Sequence, residues 1–339
     1  MSFSVALAGL GRIAHSYEDD PLIAGDMSYP THLSVLREHP GFRLCAACDP
    51  SPVARGAFAA KPGGDIPLFA DCGEMFATSR PDLLVIAASA GAHGELLRKA
   101  VHHGVRAVFC EKPLATSLAE AEDMARLAKR ENMLVAVNYM RAFGAAYREL
   151  AARATGGEFG EILGVEGAYC RGVFNNGSHL LDLFARFCGS PDVLAGFPGR
   201  DFDPSAPDPA LDMILKFPGG ALGHLRGFRG RYGNESLDIF EMDILFSKAR
   251  LEIRLDQALL LRALPSRRMS DYLEMETEGE RFSVDVGGAL YDAYDNLHAC
   301  LQGNETPACC AQDALIPLRL INQALAQMRG GRNIHGETL

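Results

Sequence analysis

Two side chains in this sequence stand where they could act on a reacting alcohol or carbonyl oxygen. Lys112 belongs to the run Glu111-Lys112-Pro113, directly after the apolar segment Val105–Cys110. That segment predicts a buried strand, and open α/β sheets assemble ligand sites at the carboxyl ends of their strands. A lysine there reaches a bound substrate and stabilises negative charge developing on an oxygen. His179 lies in Asn175-Asn-Gly-Ser-His179-Leu-Leu-Asp182. Leu180, Leu183, Phe184 and Phe187 recur at helical spacing, so a helix is expected from Gly177 or Ser178 with His179 in its first turn. Removing hydride from an alcohol carbon needs a group to take the hydroxyl proton, and an imidazole suits that task. Asn175 and Asp182 crowd the same helix end. Asp182 either orients the imidazole or complements the positive end of the helix dipole. Alone, each of these is an ordinary loop lysine or capping histidine; together they supply two complementary functions.

The elements that must position Lys112 read as an α/β domain. Phe3–Ala8 predicts a strand that runs into Gly9-Leu-Gly11-Arg12-Ile13-Ala14, a G-x-G-x-x-A fingerprint. Its first glycine permits a tight turn, its second lets the backbone approach a pyrophosphate, and Ala14 permits close helix–strand packing. Further strands are expected at Phe42–Cys48, near Ile66–Phe69, at Asp82–Ala88 and at Leu134–Tyr139. Helices are expected at Gly94–His103 and from Leu118 to Glu131, the latter started by a capping box at Ser117 and Glu120. Strands alternating with helices imply a Rossmann-type doubly wound parallel sheet.

Asp49 ends the second strand, where a carboxylate accepts hydrogen bonds from an adenosine ribose and repels a 2′-phosphate. This favours NAD, with NADP possible because Arg55 is near. Asp49 lies further from the glycines than the fingerprint requires. The excess is residues 16–30, rich in Asp, Gly and Pro, expected as a loop inserted into the first helix, which resumes near Thr31. Its role is that of a surface loop or of a lid. Ser89 and His93 follow the fourth strand at the same edge, as candidate cofactor contacts or as caps.

After Arg141 the pattern changes. A helix over Ala145–Ala154, an alternating strand over Glu161–Tyr169 and five later strand-like stretches between Asp212 and Leu264 imply an α+β domain. Its sheet is expected to be open and largely antiparallel, with one broad face free to bind another subunit. Two helices, Ala289–Gln302 and Gln312–Met328, close the chain. The domain boundaries are set at 1–140 and 141–339. Pro198–Pro209, dense in Asp and Pro, reads as a loop without assigned purpose. Arg171, Arg226, Arg229 and Arg231 either grip an anionic group of the substrate or are exposed.

The net charge of −10 over 339 residues argues against a nucleic-acid partner. Apolar runs are too short to span a bilayer and the amino terminus lacks a secretory pattern, so a cytoplasmic location and no membrane partner are expected. The nine cysteines are then expected to be reduced, with Cys45 and Cys48 as core residues and Cys309-Cys310 outside any metal-ligand spacing. No metal site is read.

The ordered set Gly9-Leu-Gly11-Arg-Ile-Ala14, Glu111-Lys112-Pro113-Leu-Ala and His179-Leu-Leu-Asp182 resembles the glucose-fructose oxidoreductase, inositol dehydrogenase and rhizopine-catabolism family over essentially the whole chain. The resemblance implies nicotinamide-dependent hydride transfer at a sugar, polyol or sugar-nucleotide carbon, in a homodimer or homotetramer joined through the open sheet. It assigns Lys112 and His179 as catalytic and makes the bond before Pro113 cis. It also implies cofactor contacts from Gly9, Gly11, Arg12, Ile13, Asp49, Ser89, His93, Glu111, Lys112 and Arg141. The family's usual aspartate four residues before the histidine is here Asn175, which orients groups but carries no charge. Two alternatives remain: a dinucleotide-binding regulator without turnover, and a reductase of a non-sugar carbonyl.

Overall fold

The structure, a computed structural model, describes residues 2–330 apart from 201, 204, 229, 230, 233, 234, 237 and 238, with backbone alone at 231, 232, 235 and 236 and no side chain at 329. It divides into two compact units. The first holds residues 1–144 and, beyond the expected boundary, residues 286–315; the second holds 145–285 and the chain from Ile316 on. The sequence boundary near 141 therefore needs correction at its far end, because the helix Ala289–Leu301 packs with the first unit.

In the first unit, short apolar runs form β1 (Phe3–Ala8), β2 (Phe42–Cys48), β3 (Leu68–Phe69), β4 (Leu83–Ile86), β5 (Ala107–Cys110) and β6 (Leu134–Val137). They pair in parallel in the order β3-β2-β1-β4-β5-β6. Every residue of β4 and β5 is buried, as strands covered on both faces must be. The order reverses between β1 and β4, which opens the crevice where such sheets bind dinucleotides. The helices are α1 (Pro21–Asp26), α2 (His32–Glu38), α3 (Pro52–Ala59), α4 (Cys72–Ser79), α5 (His93–His102) and α6 (Leu118–Arg130). Apolar periodicity does not mark α3 and α4, although each carries a start signal. The Ser51 hydroxyl accepts from the Ala54 amide, and the Asp71 carboxylate accepts from Gly73 and Glu74.

Residues 16–30 are an insertion within a single helical path. The turn after the fingerprint begins helically, with the His15 amide donating to the Gly11 carbonyl. The chain then departs, and on its return the amides of His32 and Leu33 donate to the carbonyls of Ile13 and Ala14, each at 3.0 Å. Those are the carbonyls that the next helical turn would have used. A reciprocal box between Thr31 and Ser34 caps α2 as the helix resumes. With the insertion lifted out, Asp49 returns to roughly twenty residues from the glycines, the offset of a ribose-binding acid. The segment is fastened to its own unit: Glu18 pairs with Arg37 and accepts from Thr31, Asp19 pairs with Lys61, and the Tyr29 ring lies against Tyr291.

The cysteine expectation is corrected at one place. Cys48 and Cys72 form a disulfide with their Cα atoms 5.8 Å apart. The end of β2 and the first residue of α4 meet through folding across a separation of 24 residues, which no local spacing reveals. Cys45 is a free thiol whose pKa is raised by burial. Cys309 and Cys310 cover the outer edge of β6: the Val137 amide donates to the Cys309 carbonyl, and Ala136 bridges to Cys310. Covering an edge strand removes a template for unwanted pairing.

The second unit begins with α7 (Ala145–Thr155), β7 (Ile162–Cys170) and α8 (Ser178–Cys188), then β8 (Asp192–Pro198), β9 (Leu211–Lys216), β10 (Leu222–Phe228), β11 (Arg231–Tyr232) and β12 (Glu235–Ser236). It continues with β13 (Phe240–Phe246), β14 (Ala249–Arg254), β15 (Gln257–Pro265), β16 (Leu273–Met275) and β17 (Glu280–Ser283), before the closing helix Leu315–Gly330. Among the described residues, the larger sheet runs β16-β15-β14-β13-β7-β10-β9-β8, with β17 paired to β15. It is mixed rather than wholly antiparallel, because β7 and β10 pair in parallel at its centre. α8 presses on one face at Gly167, where a Cβ would stand 2.7 Å from the Phe184 ring. The same face carries buried Val165, Tyr169 and Leu225. The opposite face of β7, β10, β13 and β14 shows Glu166, Arg226, Glu241 and Arg254 around a shallow depression. No helix of the described residues is long and apolar enough to cross a membrane.

Excision of residues 16–30, joining His15 to Thr31, should leave a folded protein. The ion pairs carried by this segment are partly exposed and contribute about 0–1 kcal/mol each, so the melting temperature should drop by no more than about 10 °C. Failure of the excised chain to melt cooperatively in circular dichroism would refute the single-helix reading.

Candidate active site

Gly9 follows β1 with φ of +90°, and a Cβ there would stand 2.4 Å from the Ala88 amide nitrogen. Only glycine lets this turn pack under the end of β4. Gly11 is the opposite case: a Cβ would meet nothing within 4 Å, so the backbone faces open space. The amides of Gly11, Arg12 and Ile13 open the turn, where helix amides have no acceptor within the helix and hold phosphate oxygens well. The exposed Arg12 guanidinium lies 4.6 Å from the Tyr17 ring centre. These features fit a dinucleotide pyrophosphate.

Asp49 stands just past β2. One carboxylate oxygen accepts from the Leu10 amide at 2.9 Å and the other from the Ser51 amide at 2.8 Å. The acid therefore ties the glycine turn to the start of α3, and each oxygen keeps a second lone pair for a ribose hydroxyl. Arg55 donates to the Asp49 and Pro50 carbonyls at 2.6 and 3.1 Å, which turns its guanidinium to the backbone. Ser89 is exposed after β4. His93 is only 1% exposed, with Nδ1 3.0 Å from the Pro113 carbonyl and Nε2 3.0 Å from the Ala88 carbonyl. Its ring clamps the β4 end to the loop that carries Lys112. Arg141 lies in the short helical turn Met140–Ala142 after β6, at the same sheet edge.

Glu111 and Lys112 leave the end of β5, and the Lys112–Pro113 bond is cis. The Glu111 carboxylate turns inward. His32 Nε2 lies 3.0 Å from Oε1, the Asn138 amide donates to the same oxygen at 2.7 Å, and His32 Nδ1 lies 3.0 Å from the Tyr294 hydroxyl. His32 is 1% exposed and Tyr294 fully buried. Burial by itself would raise the Glu111 pKa, but the His32 and Asn138 hydrogen bonds and the Lys112 charge outweigh it and hold the carboxyl below its ordinary value. Lys112, half-buried, thus follows an ionised anchor and projects from a loop held on both sides. Sequence reasoning does not single out His32, Asn138 or Tyr294. The one available signal is a histidine among the buried positions of α2, beside its cap.

In the second unit, a five-residue wide helical turn, Val173–Gly177, leads straight into α8. His179 is 7% exposed in the first turn of α8, and Asn175 is exposed one turn before it. The helix start agrees with the sequence pattern, which does not announce the wide turn. Asp182, buried one turn on, is bound bidentately by Arg186 at 2.7 and 3.0 Å. Arg171 is exposed with φ of +67°, and Arg226 is exposed on the sheet face opposite α8, so Arg226 does not share the His179 face. Arg229 lies outside the described residues, and Arg231 is described in backbone only.

Residues 22–139 match a family model described as an oxidoreductase family with an NAD-binding Rossmann fold. A myo-inositol dehydrogenase of Streptomyces leeuwenhoekii is 30% identical over 159 residues, 47% of this chain and 43% of that protein. The chain spans less than half the length of this and several other curated relatives it matches. A D-apiose dehydrogenase of Paraburkholderia graminis is 22% identical over 329 residues, covering 91% of this chain and 87% of that protein. The crystal structure of the WlbA dehydrogenase from Bordetella pertussis, in complex with NADH and UDP-GlcNAcA, superimposes with a TM-score of 0.73 at 19% identity over 96% of each chain. That level of identity shows a common fold.

The Glu111 network predicts an acid-side stability signature. Because its folded pKa is depressed, the ionised carboxylate contributes fully above the unfolded value, about 4.3, and the contribution fades as pH falls through the lower folded value. Glu111→Gln should flatten the fall of the melting temperature below about pH 4.3, and His32→Ala should cost about 3 kcal/mol at pH 7 by stranding a buried charge. Thermal melts across pH 2–7 test both; identical pH profiles for wild type and Glu111→Gln would refute the assignment.

Proposed function

We propose that this chain, whose residues 22–139 match an NAD-binding Rossmann oxidoreductase family, is an oxidoreductase of the Gfo/Idh/MocA type that moves hydride between the nicotinamide of NAD and a secondary alcohol or ketone carbon of a sugar, polyol or sugar nucleotide. The observation that carries the reading is Lys112, held by the Glu111 anchor at the same carboxyl edge of the sheet as the open Gly11 turn. NAD would supply the hydride acceptor or donor, and NADP is the less favoured partner because Asp49 would repel a 2′-phosphate.

In this proposal the Lys112 ammonium polarises the reacting oxygen and stabilises charge that develops on it. His179 takes the hydroxyl proton in oxidation and returns it in reduction. Asn175 binds and orients substrate hydroxyls through its amide. Similarity to proteins named for inositol and apiose, and to one crystallised with a nucleotide sugar, supports the polyol and sugar classes. The reading also has the chain pair through the open face of its larger sheet, where Leu222 and Leu245 are 55% and 39% exposed beside the charged depression. Monomeric sedimentation at micromolar concentration would contradict that pairing.

A spectroscopic screen of nicotinamide reduction with polyols, aldoses, uronic acids and nucleotide sugars tests the proposal. Lys112→Ala and His179→Ala should each lower kcat by roughly a hundred- to ten-thousand-fold, and His179→Ala should leave NAD affinity within about threefold. NAD binding without turnover on any class would favour a dinucleotide-binding regulator, and turnover confined to non-sugar carbonyls would reassign the substrate. Asp49→Ala should narrow the preference for NAD over NADP by about tenfold, and an unchanged ratio would refute the role given to that acid.

A further inference from the structure

We infer that Asp208, in the loop before β9, is a positioning residue that sets where Asn175 and His179 stand. The inference rests on the reading that these two side chains serve the reaction proposed above.

The helical run through α8 opens at Val173, and the first amides of a helix have no acceptor inside it. Three successive amides are taken up by one loop here. Val173 donates to the Pro209 carbonyl at 3.0 Å, Phe174 to Asp208 Oδ1 at 2.7 Å and Asn175 to Asp208 Oδ2 at 3.0 Å. Hydrogen bonds to an ionised acceptor are the stronger kind, and a negative charge at a helix amino end is favoured by the dipole. The carboxylate thus caps the turn from thirty-odd residues away in sequence.

Gly172 makes the room. Its φ is +89°, and a Cβ there would lie 2.2, 2.3 and 2.5 Å from the three carboxyl atoms of Asp208. Any side chain at 172 must expel the carboxylate, so the glycine and the acid form a matched pair. The far end of the loop is fixed to β7 by Tyr169, whose hydroxyl accepts from the Leu211 amide at 2.9 Å and donates to the Leu211 carbonyl at 2.8 Å. Ser178 ties the turn to α8: its Oγ lies 2.9 Å from both the Phe174 and the Asn175 carbonyl oxygens, which share its single hydrogen. A shift of the turn must therefore move Asn175 and the start of α8 together. Asn175 itself carries no charge, and Asp208 supplies one at its backbone.

Asp208→Asn places an amide group where two N–H donors need acceptors. We expect exchange of the Phe174 and Asn175 amides to quicken by about tenfold, read by mass-resolved hydrogen exchange. With the best substrate from the screen, kcat should fall about 10- to 100-fold, more than KM rises, while NAD affinity stays unchanged. Gly172→Ala should quicken the same two amides with Asp208 intact, because its Cβ would displace the carboxylate and its φ is one that a side chain strains. Unchanged amide exchange in either variant overturns the anchoring, whatever happens to turnover. Faster exchange with wild-type kcat overturns the positioning role. A wild type with no turnover on any substrate sinks the proposed reaction and with it the catalytic consequence, whereas the exchange result still decides the anchoring.

Discussion

A buried carboxylate must be paired, and the Glu111 carboxylate is paired by residues from three other parts of the first unit. His32 arrives from α2, Asn138 from the end of β6, and Tyr294, through His32, from the helix that returns late in the chain. An ionised group away from water costs several kcal/mol unless such partners are present, so the position of each element is coupled to the others. The insertion after the fingerprint illustrates the constraint. Fifteen extra residues can be accommodated only if the helix resumes in register, because a slip would carry His32 away from Glu111. Residues 286–315 belong to the first unit for a related reason: without Tyr294, one nitrogen of a fully enclosed imidazole would lose its hydroxyl neighbour.

The second unit uses a carboxylate differently. Asp208 accepts from backbone amides rather than from side chains, and it acts on a turn rather than on a sheet edge. Both acids nevertheless do the same thing to a neighbouring functional group. Each fixes a short stretch of backbone next to a side chain proposed to touch substrate, Lys112 in one case and Asn175 in the other. Placement by a charged hydrogen bond to a loop is stiffer than placement by packing alone, because losing one partner strands the other.

How much of this is legible beforehand depends on distance along the chain. The fingerprint, the strand before Lys112, the start of α8 and the extent of the insertion are local patterns, carried by glycine spacing, apolar periodicity and caps, and each can be read directly. The mixed pairing of β7 with β10 cannot, since a crossover through α8 places them side by side and no turn signal records it. The bond between Cys48 and Cys72 is hidden for the same reason, as is the inclusion of residues 286–315 in the first unit. The partners of Glu111 lie 79 and 27 residues from it, and His32 lies 262 from Tyr294. Composition carries no trace of such pairings.

Asp208 shows what kind of residue is hardest to recognise. It sits in a loop whose Asp and Pro content argues only for a turn, and nothing about its neighbours in sequence points to Asn175. The signal is split between two places: a glycine at 172 that must take positive φ, and an acid that needs the space a side chain there would fill. Either half alone has an ordinary explanation, a helix-entry glycine or a solvated loop carboxylate. Only the three-dimensional fit joins them, because the carboxylate atoms occupy the volume of the missing Cβ. An asparagine at 175 is then not simply the loss of a charge from the site. The charge stands on a different loop, directed at the backbone, where it fixes geometry without competing with a substrate hydroxyl for the Asn175 side chain.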